Sequence, residues 1–209
     1  MSVSLKKGQK VSLSKLSKVD LSKGNSSGLS KVMVGLGWDP IKKSGGSFLA
    51  SLFGFDGADY DLDASAFLLK NGRLVSQKDI VYFGRLEHFT GAVQHMGDNL
   101  TGGGDGDDEE IFIDFQRLPP EYDRIILVVN IYQANARNQH FGQIKNAFIR
   151  IVDMTKRQEM CRFDLSEDYS GAIAMIFGEL FKENNEWQFC AIGEGTIDPN
   201  LNSLSERYK

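Results

Sequence analysis

The chain has 209 residues, of which 41% are hydrophobic and 11% aromatic, and its formal net charge is −4. This composition excludes an intrinsically disordered protein, because the apolar fraction is large enough to form a core. No apolar run reaches the roughly 20 residues that span a bilayer. The first residues also lack the apolar block of a secretory signal. The sequence therefore predicts a cytoplasmic protein made of one large domain, or of one domain with tails.

The charge is unevenly distributed along the chain. Residues 1–31 carry seven lysines and one aspartate, a net charge of +6, whereas residues 32–209 carry 17 basic and 27 acidic residues, a net charge of −10. The tripeptide Leu-Ser-Lys occurs four times in this basic leader. We interpret the leader as low-complexity sequence around one or two short strands. An arm that attracts lipid or nucleic-acid phosphates is the alternative.

Most of the chain has the alternating pattern of β-strands. Apolar side chains at every second position predict a strand from Lys31 to Trp38, which Asp39 and Pro40 end. Residues 41–60 are rich in Gly and Ser without clear periodicity, which indicates an insertion loop. A second strand is predicted over residues 61–69. Asn71-Gly72 then predicts a hairpin turn, with the return strand beginning at Leu74 and Val75.

The remaining pattern completes an all-β fold. Further strands are predicted at residues 79–83, 92–95, 110–115, 124–132, 148–152, 160–165, 171–181 and 186–193, with a buried helix as the alternative for residues 171–181. Residues 124–132 are nearly all apolar, as in a central strand covered on both faces. Residues 196–209 are predicted to be a polar tail. We therefore expect a two-sheet β-sandwich with one or two short helices.

The segment Gly97–Glu110 combines six acidic residues and one asparagine with glycines and contains no basic residue. Crowded carboxylates repel one another unless a cation, a proton or water takes up their charge. Oxygen donors without His or Cys are the ligands of Ca²⁺ or Mg²⁺, and a bent glycine chain suits the larger calcium ion. The segment predicts a calcium site; a solvated acidic loop is the alternative.

A second acidic pair stands in the strand predicted over residues 61–69. Asp61 and Asp63 are two residues apart in an extended segment, so their carboxylates point to the same side of the chain. Neither acidic segment has the glycine and glutamate positions of an EF-hand. The match to the glycine-rich nonapeptide repeats that bind calcium is weak, and no Gly-Lys-Ser/Thr follows the glycines as in a phosphate-binding loop.

Five motifs, in order, point to a known family. They are Val34–Asp39, Asp61–Leu69, Gly97–Glu109, Asn146–Arg150 and Asp164–Ser170. Together they resemble the TerD family of tellurite-resistance and stress proteins. The resemblance covers a domain of residues 1–195, which includes the leader at 1–31 and the loop at 41–60. The tail at 196–209 follows this domain. It implies a calcium-binding β-sandwich without known catalytic activity, which acts with partner proteins in a stress-response complex near the membrane.

The resemblance also implies a set of metal ligands. Carboxylate and amide oxygens, together with glycine carbonyls, would come from Asp61, Asp63, Asp98, Asn99, Gly102, Gly104, Asp105, Asp107, Asp108 and Glu109. This number of oxygens suits two Ca²⁺ ions. Asp39 is a further candidate, with a turn residue as the alternative. No nucleic acid and no small-molecule substrate are expected.

Two other functions stay open at this point. Calcium held in loops at one end of a sandwich can bridge to anionic lipid, with the basic leader helping. Clustered carboxylates can also hold the metals of a phosphoesterase, although no base or cationic clamp is evident. His88, His95 and His140 are read as structural because no Ser or Cys motif accompanies them. Cys161 and Cys190 sit singly in apolar strands and are predicted to be buried and inert.

Overall fold

The computed structural model describes residues 3–4, 10–12, 30–39, 60–97, 107–164 and 169–209, apart from the side chains of the leader strands and Lys145. Within these residues there are twelve strands: β1 Val3–Ser4, β2 Lys10–Ser12, β3 Lys31–Asp39, β4 Leu62–Lys70, β5 Ile80–Val81, β6 Val93–His95, β7 Glu109–Asp114, β8 Tyr122–Ile131, β9 Lys145–Asp153, β10 Gln158–Asp164, β11 Ala174–Glu183 and β12 Glu186–Thr196. Two short helices, α1 Ala134–Arg137 and α2 Leu201–Ser205, and 3-10 turns at Gln77–Asp79, Phe141–Gln143 and Glu206–Tyr208 complete the described elements.

The strands form two six-stranded sheets. Sheet A has the order β1-β10-β9-β3-β7-β6, and sheet B has the order β2-β12-β11-β8-β4-β5. Every pairing is antiparallel except that of β1 with β10. The predicted two-sheet β-sandwich with short helices is confirmed. The leader contributes two short strands, as predicted, and each of them lies at the edge of one sheet.

The core lies between the sheets because each strand turns every second side chain inward. Val32, Val34, Leu36 and Trp38 of β3 all belong to this core. The alternate positions of β3, one of which is Gly35, therefore face outward from sheet A. The nearly apolar β8 lies between β11 and β4 and packs on both of its faces, as the sequence predicts for a central strand.

The C-terminal residues are not the polar tail that the sequence predicts. Leu204 is 0% exposed and joins a second apolar cluster with Phe67 and Ile126 on the outer face of sheet B. Tyr208 packs against the same cluster. A few apolar side chains at helical spacing therefore cover the outer face of sheet B. The segment reads as a polar tail because most of its residues are polar.

The predicted turn at Asn71-Gly72 is present, but the return strand was misplaced. Both residues adopt left-handed backbone conformations, with φ of 51° and 72°, as a tight two-residue hairpin turn requires. Leu74, however, donates its N–H to the Tyr208 carbonyl at 2.6 Å instead of continuing a strand. The strand that returns beside β4 is β5, where Val81 pairs with Ala66. The predicted insertion loop at 41–60 lies outside the described residues except for Tyr60.

Candidate functional site

The two acidic segments meet at one end of the sandwich. In sheet A, β3 ends at Asp39 and β7 begins at Glu109. In sheet B, β4 begins beside the end of β8, with Leu62 opposite Ile131. A side chain joins the two sheets there, because the Ala64 N–H donates to Glu109 Oε2 at 2.6 Å. This end of the molecule is the candidate site.

Asp107 is anchored on the outer face of sheet A. The Arg150 Nε donates to both of its carboxylate oxygens, at 2.8 and 3.0 Å, and the Arg150 Nη2 donates to Oδ2 at 2.8 Å. The Asp107 side chain is only 1% exposed. Its hydrogen bonds raise the pKa of Arg150 above the ordinary value. Asp107 therefore fixes the end of the acidic loop to β9.

Gly35 makes this anchor possible. A Cβ atom at Gly35 would lie 2.3 Å from Cγ of Asp107, a distance that no side chain tolerates. Gly35 is also directly opposite Arg150 in the pairing of β3 with β9. The missing side chain leaves the space in which the carboxylate meets the guanidinium.

Asp108 is held against β3 in an unfavourable electrostatic setting. Its Oδ2 accepts the Trp38 N–H at 2.9 Å, and its own N–H donates to the Leu36 carbonyl at 2.7 Å. Burial raises the pKa of Asp108, and the negative charges of Asp107 and Asp39 raise it further, while the Trp38 hydrogen bond lowers it. Asp107 and Asp39 therefore both repel the Asp108 carboxylate. A bound cation would relieve that repulsion.

Glu109 points into the sandwich. It is 2% exposed and lies on the same face of β7 as the core residue Ile111. His95 Nδ1 accepts the Gly97 N–H at 3.1 Å, which places the imidazole proton on Nε2, 3.3 Å from Glu109 Oε2. Because β5 pairs with β4 only at Ala66 and Phe67, the Ala64 N–H is left for Glu109. Glu109 thus links both sheets.

Asp61 and Asp63 occupy a different face at the same end. Asp63 accepts the Asn130 Nδ2–H at 3.0 Å on the outer face of sheet B. Asp61 lies 3.8 Å from the Arg137 guanidinium. The structure thus brings the two motifs to one end, but it places Asp63 and Asp107 on opposite outer faces of the sandwich.

The other predicted ligands, Asp98, Asn99, Gly102, Gly104 and Asp105, lie outside the described residues. Within the part of the chain that the structure describes, no three His, Cys, Asp or Glu side chains are grouped closely enough to hold a metal ion. A calcium site at this end therefore needs donors from residues 98–106. Asp108 and Asp39 supply carboxylate oxygens there, which are donors that calcium prefers.

Sequence reasoning missed two buried features. The sequence assigns no role to Arg150, because an ion pair between distant residues leaves no local signal. The sequence predicts a structural role for His88 but does not identify its partners. Its Nε2 lies 3.3 Å from Asp79 Oδ1, and the Tyr122 hydroxyl donates to the same oxygen at 2.7 Å. Burial lowers the pKa of His88 and raises that of Tyr122.

The cysteines lie on strands of different sheets, and both are buried as predicted. Burial raises the pKa of the Cys161 thiol to about 12, so the reactive thiolate is scarce at neutral pH. Across the described ranges, no helix combines the length and the apolar character needed to cross a bilayer.

Comparison with known proteins places the chain in a family. Residues 1–208 match the model of the TerD domain. The stress response protein SCP2 of Bacillus subtilis is 47% identical over 208 residues, and the match covers 100% of both chains. The tellurium resistance protein TerD of Serratia marcescens is 46% identical over 196 residues, covering 93% of this chain and 91% of the relative.

A solved structure shares the fold. The homologue of telluride resistance protein (TerD) from Streptomyces coelicolor A3(2) aligns with a TM-score of 0.64 at 24% identity, over 87% of this chain and 99% of that structure. The motifs, the two-sheet sandwich and the match along nearly the whole length agree. This chain belongs to the TerD family.

Proposed function

We propose that this protein is a calcium-binding stress-response protein that contributes to tellurium tolerance in the cytoplasm without catalysing a reaction. Relatives named for stress response and for tellurium resistance match at least nine-tenths of the chain at 46–47% identity, which supports the biological part. The observation that carries the calcium part is the grouping of Asp39, Asp107 and Asp108: burial raises the pKa of Asp108, and the negative charges of Asp107 and Asp39 raise it further.

The described carboxylates divide into anchors and candidate ligands. Asp107 has both oxygens bonded to Arg150, and Glu109 accepts the Ala64 N–H, so these two hold the loop end in place. Asp108 and Asp39 are the described candidates for calcium ligands. The loop residues Asp98, Asn99 and Asp105, with the carbonyls of Gly102 and Gly104, would supply the further oxygens that calcium needs. Asp61 and Asp63 offer a separate pair of carboxylates for a second calcium ion at this end. The protein would then bind two calcium ions.

The proposed mechanism is electrostatic. Without calcium, the acids of the loop repel one another, while the loop end stays fixed to β9 and β4. Bound calcium draws the acids together and stabilises the folded state by RT ln(1 + [Ca²⁺]/Kd), about 2.7 kcal/mol at a hundredfold excess over Kd. The ordered loop then presents a surface to partner proteins of a membrane-associated stress complex.

Calorimetric titration with calcium, accompanied by thermal melts, tests the proposal. We expect saturable binding of one or two ions and a rise in Tm that equal magnesium does not reproduce. Asp108→Asn should weaken calcium binding, whereas Asp123→Asn, at the opposite end of β8, should leave it unchanged. Absence of heat and of any Tm shift at millimolar calcium would rule the calcium site out. Turnover of generic phosphoesters with Mg²⁺ or Mn²⁺ would contradict the non-enzymatic role.

A further inference from the structure

A groove of about 380 Å³ opens on the outer face of sheet B, beside the segment 199–202. On this face of β4 the side chains change from apolar to polar. Phe67 packs under the C-terminal helix in the second apolar cluster, whereas Ser65 and Asp63 line the groove. The C-terminal residues therefore cover the apolar part of this face and leave the polar part, at Ser65 and Asp63, open to the groove.

The floor of the groove contains a hydroxyl that the described protein does not satisfy. Ser65 is 1% exposed, and its Oγ has no hydrogen-bond partner among the described residues. Buried polar groups in proteins are nearly always hydrogen-bonded, so such a hydroxyl calls for a specific explanation. Beside it, the Asn130 amide donates to Asp63 and fixes the orientation of both side chains. Ser65 is thus placed to bond a group that enters the groove.

The walls combine carboxamides with aromatic rings. Five carboxamide side chains line the groove: Gln77, Asn130, Gln133, Asn200 and Asn202. Each carries an acceptor oxygen and two donor hydrogens, so the set can bond groups that both donate and accept. Tyr82, Phe83 and Tyr132 add apolar surface against which a carbon skeleton can pack.

The charge of the lining is balanced. The charged side chains among the lining residues are Asp63 and Arg85. The Arg85 guanidinium already donates to the carbonyls of Gln77 and Ile80. A cationic or an anionic ligand would therefore gain little from the lining as a whole. A neutral ligand with several hydroxyls matches the carboxamides and the unsatisfied Ser65 hydroxyl.

We propose that this groove binds a neutral polyhydroxylated ligand of the size of a mono- or disaccharide, with Ser65 and the carboxamides bonding its hydroxyls and the aromatic rings contacting its carbon face. The volume lies within the range of small-molecule sites in proteins. The proposal concerns binding only and does not require the second calcium ion proposed at Asp61 and Asp63, which would share Asp63 with the groove.

Titrations of the ¹⁵N-labelled protein with D-ribose, D-glucose and trehalose test it, followed by amide shifts in NMR spectra. EDTA is included so that no metal ion competes for Asp63. We expect saturable shifts at Ser65, Asn130 and Asn202 with at least one of these neutral probes. D-glucosamine and D-glucuronate, which carry opposite charges, should not bind more tightly. Absence of saturable shifts in the groove with all three neutral probes overturns the proposal, as does tighter binding of either charged probe.

Variants separate a ligand role from a structural one. Ser65→Ala removes a hydroxyl that bonds no described residue, so we expect an unchanged or higher Tm together with affinity weaker by about three- to tenfold. Asn202→Ala, at the exposed rim, should weaken binding similarly. Gln116→Ala removes a carboxamide outside the groove and should change nothing. Wild-type affinity in both groove variants would contradict the proposal.

Discussion

Arg150 holds Asp107 through three hydrogen bonds of 2.8 to 3.0 Å, directly over the backbone of Gly35. The pair joins the end of the acidic loop to β9, and Arg150 also donates to Glu159 at 3.3 Å. Because the Asp107 side chain is almost fully buried, loss of its partner would leave a charge without compensation.

We therefore predict that Arg150→Ala lowers the free energy of unfolding by about 2–4 kcal/mol, somewhat below the cost of breaking a fully buried pair because the Arg150 side chain is partly exposed. Urea denaturation at neutral pH measures the change. Arg207→Ala is the matched control, since Arg207 also contacts two acids, Asp198 and Glu194, but at an exposed site. It should cost no more than about 1 kcal/mol. Equal costs for the two variants would contradict the role of the Arg150 anchor.

Gly35→Ala should disrupt the same Asp107–Arg150 pair, because the pair packs directly on the Gly35 backbone. The added Cβ would overlap Asp107 Cγ, so we expect a loss of about 1–3 kcal/mol, as in other overpacked sites. The double variant with Arg150→Ala tests the cause. If the new methyl group acts by displacing Asp107, the two losses will not add. Strict additivity would mean that Gly35 is needed for another reason.

Asp108→Asn should have opposite effects in the absence and presence of calcium. The amide oxygen can still accept the Trp38 N–H, but the charge that Asp39 and Asp107 repel is gone. We expect the variant in EDTA to be more stable than wild type by a few tenths of a kcal/mol to about 1 kcal/mol, because solvent screens a partly exposed group. In calcium its gain in Tm should be smaller than that of wild type. Thermal melts in both buffers measure the two effects, and lower stability in EDTA would contradict the repulsion.

The raised pKa of Asp108 also determines how folding stability and calcium binding change with pH. A carboxyl group whose folded-state pKa is raised binds its proton more tightly in the folded protein than in the unfolded chain. Protonation of Asp108 therefore favours the folded state as pH falls through its raised pKa, and it competes with calcium. Calorimetry at decreasing pH should show weaker calcium binding and proton release on binding. Calcium affinity that is independent of pH would contradict Asp108 as a ligand.

His88 should make folding stability depend on pH in the opposite sense. Its pKa is lowered by burial, so the unfolded chain takes up a proton that the folded protein resists. Its contribution to stability is present above the unfolded pKa of about 6.5 and is lost as pH falls below that value. His88→Gln should flatten the loss as pH falls below about 6.5, whereas His140→Gln, at a less buried position, serves as the control. Denaturation curves at a series of pH values compare the three proteins.

The local pattern of the sequence was sufficient for the fold class and for most of the strands. Alternation placed β3 and β7 within one residue of their observed bounds, because inward and outward side chains differ in polarity along a strand. A nearly continuous apolar run placed β8 within two residues of its observed bounds. The local pattern failed where pairing depends on distant partners. The sequence after the Asn71-Gly72 turn reads as a return strand, but Leu74 bonds Tyr208, near the other end of the chain.

By itself, the sequence determined the β-sandwich, the family and the two acidic motifs, since composition, alternation and motif order are properties of neighbouring residues. Only the tertiary structure decided that Asp107 pairs with Arg150, that Glu109 bonds the Ala64 N–H and that Asp63 faces a groove on the other sheet. Such contacts join residues 43 and 45 positions apart. Which carboxylate meets an arginine, a backbone N–H or a groove depends on sheet order and register, which a local pattern does not encode.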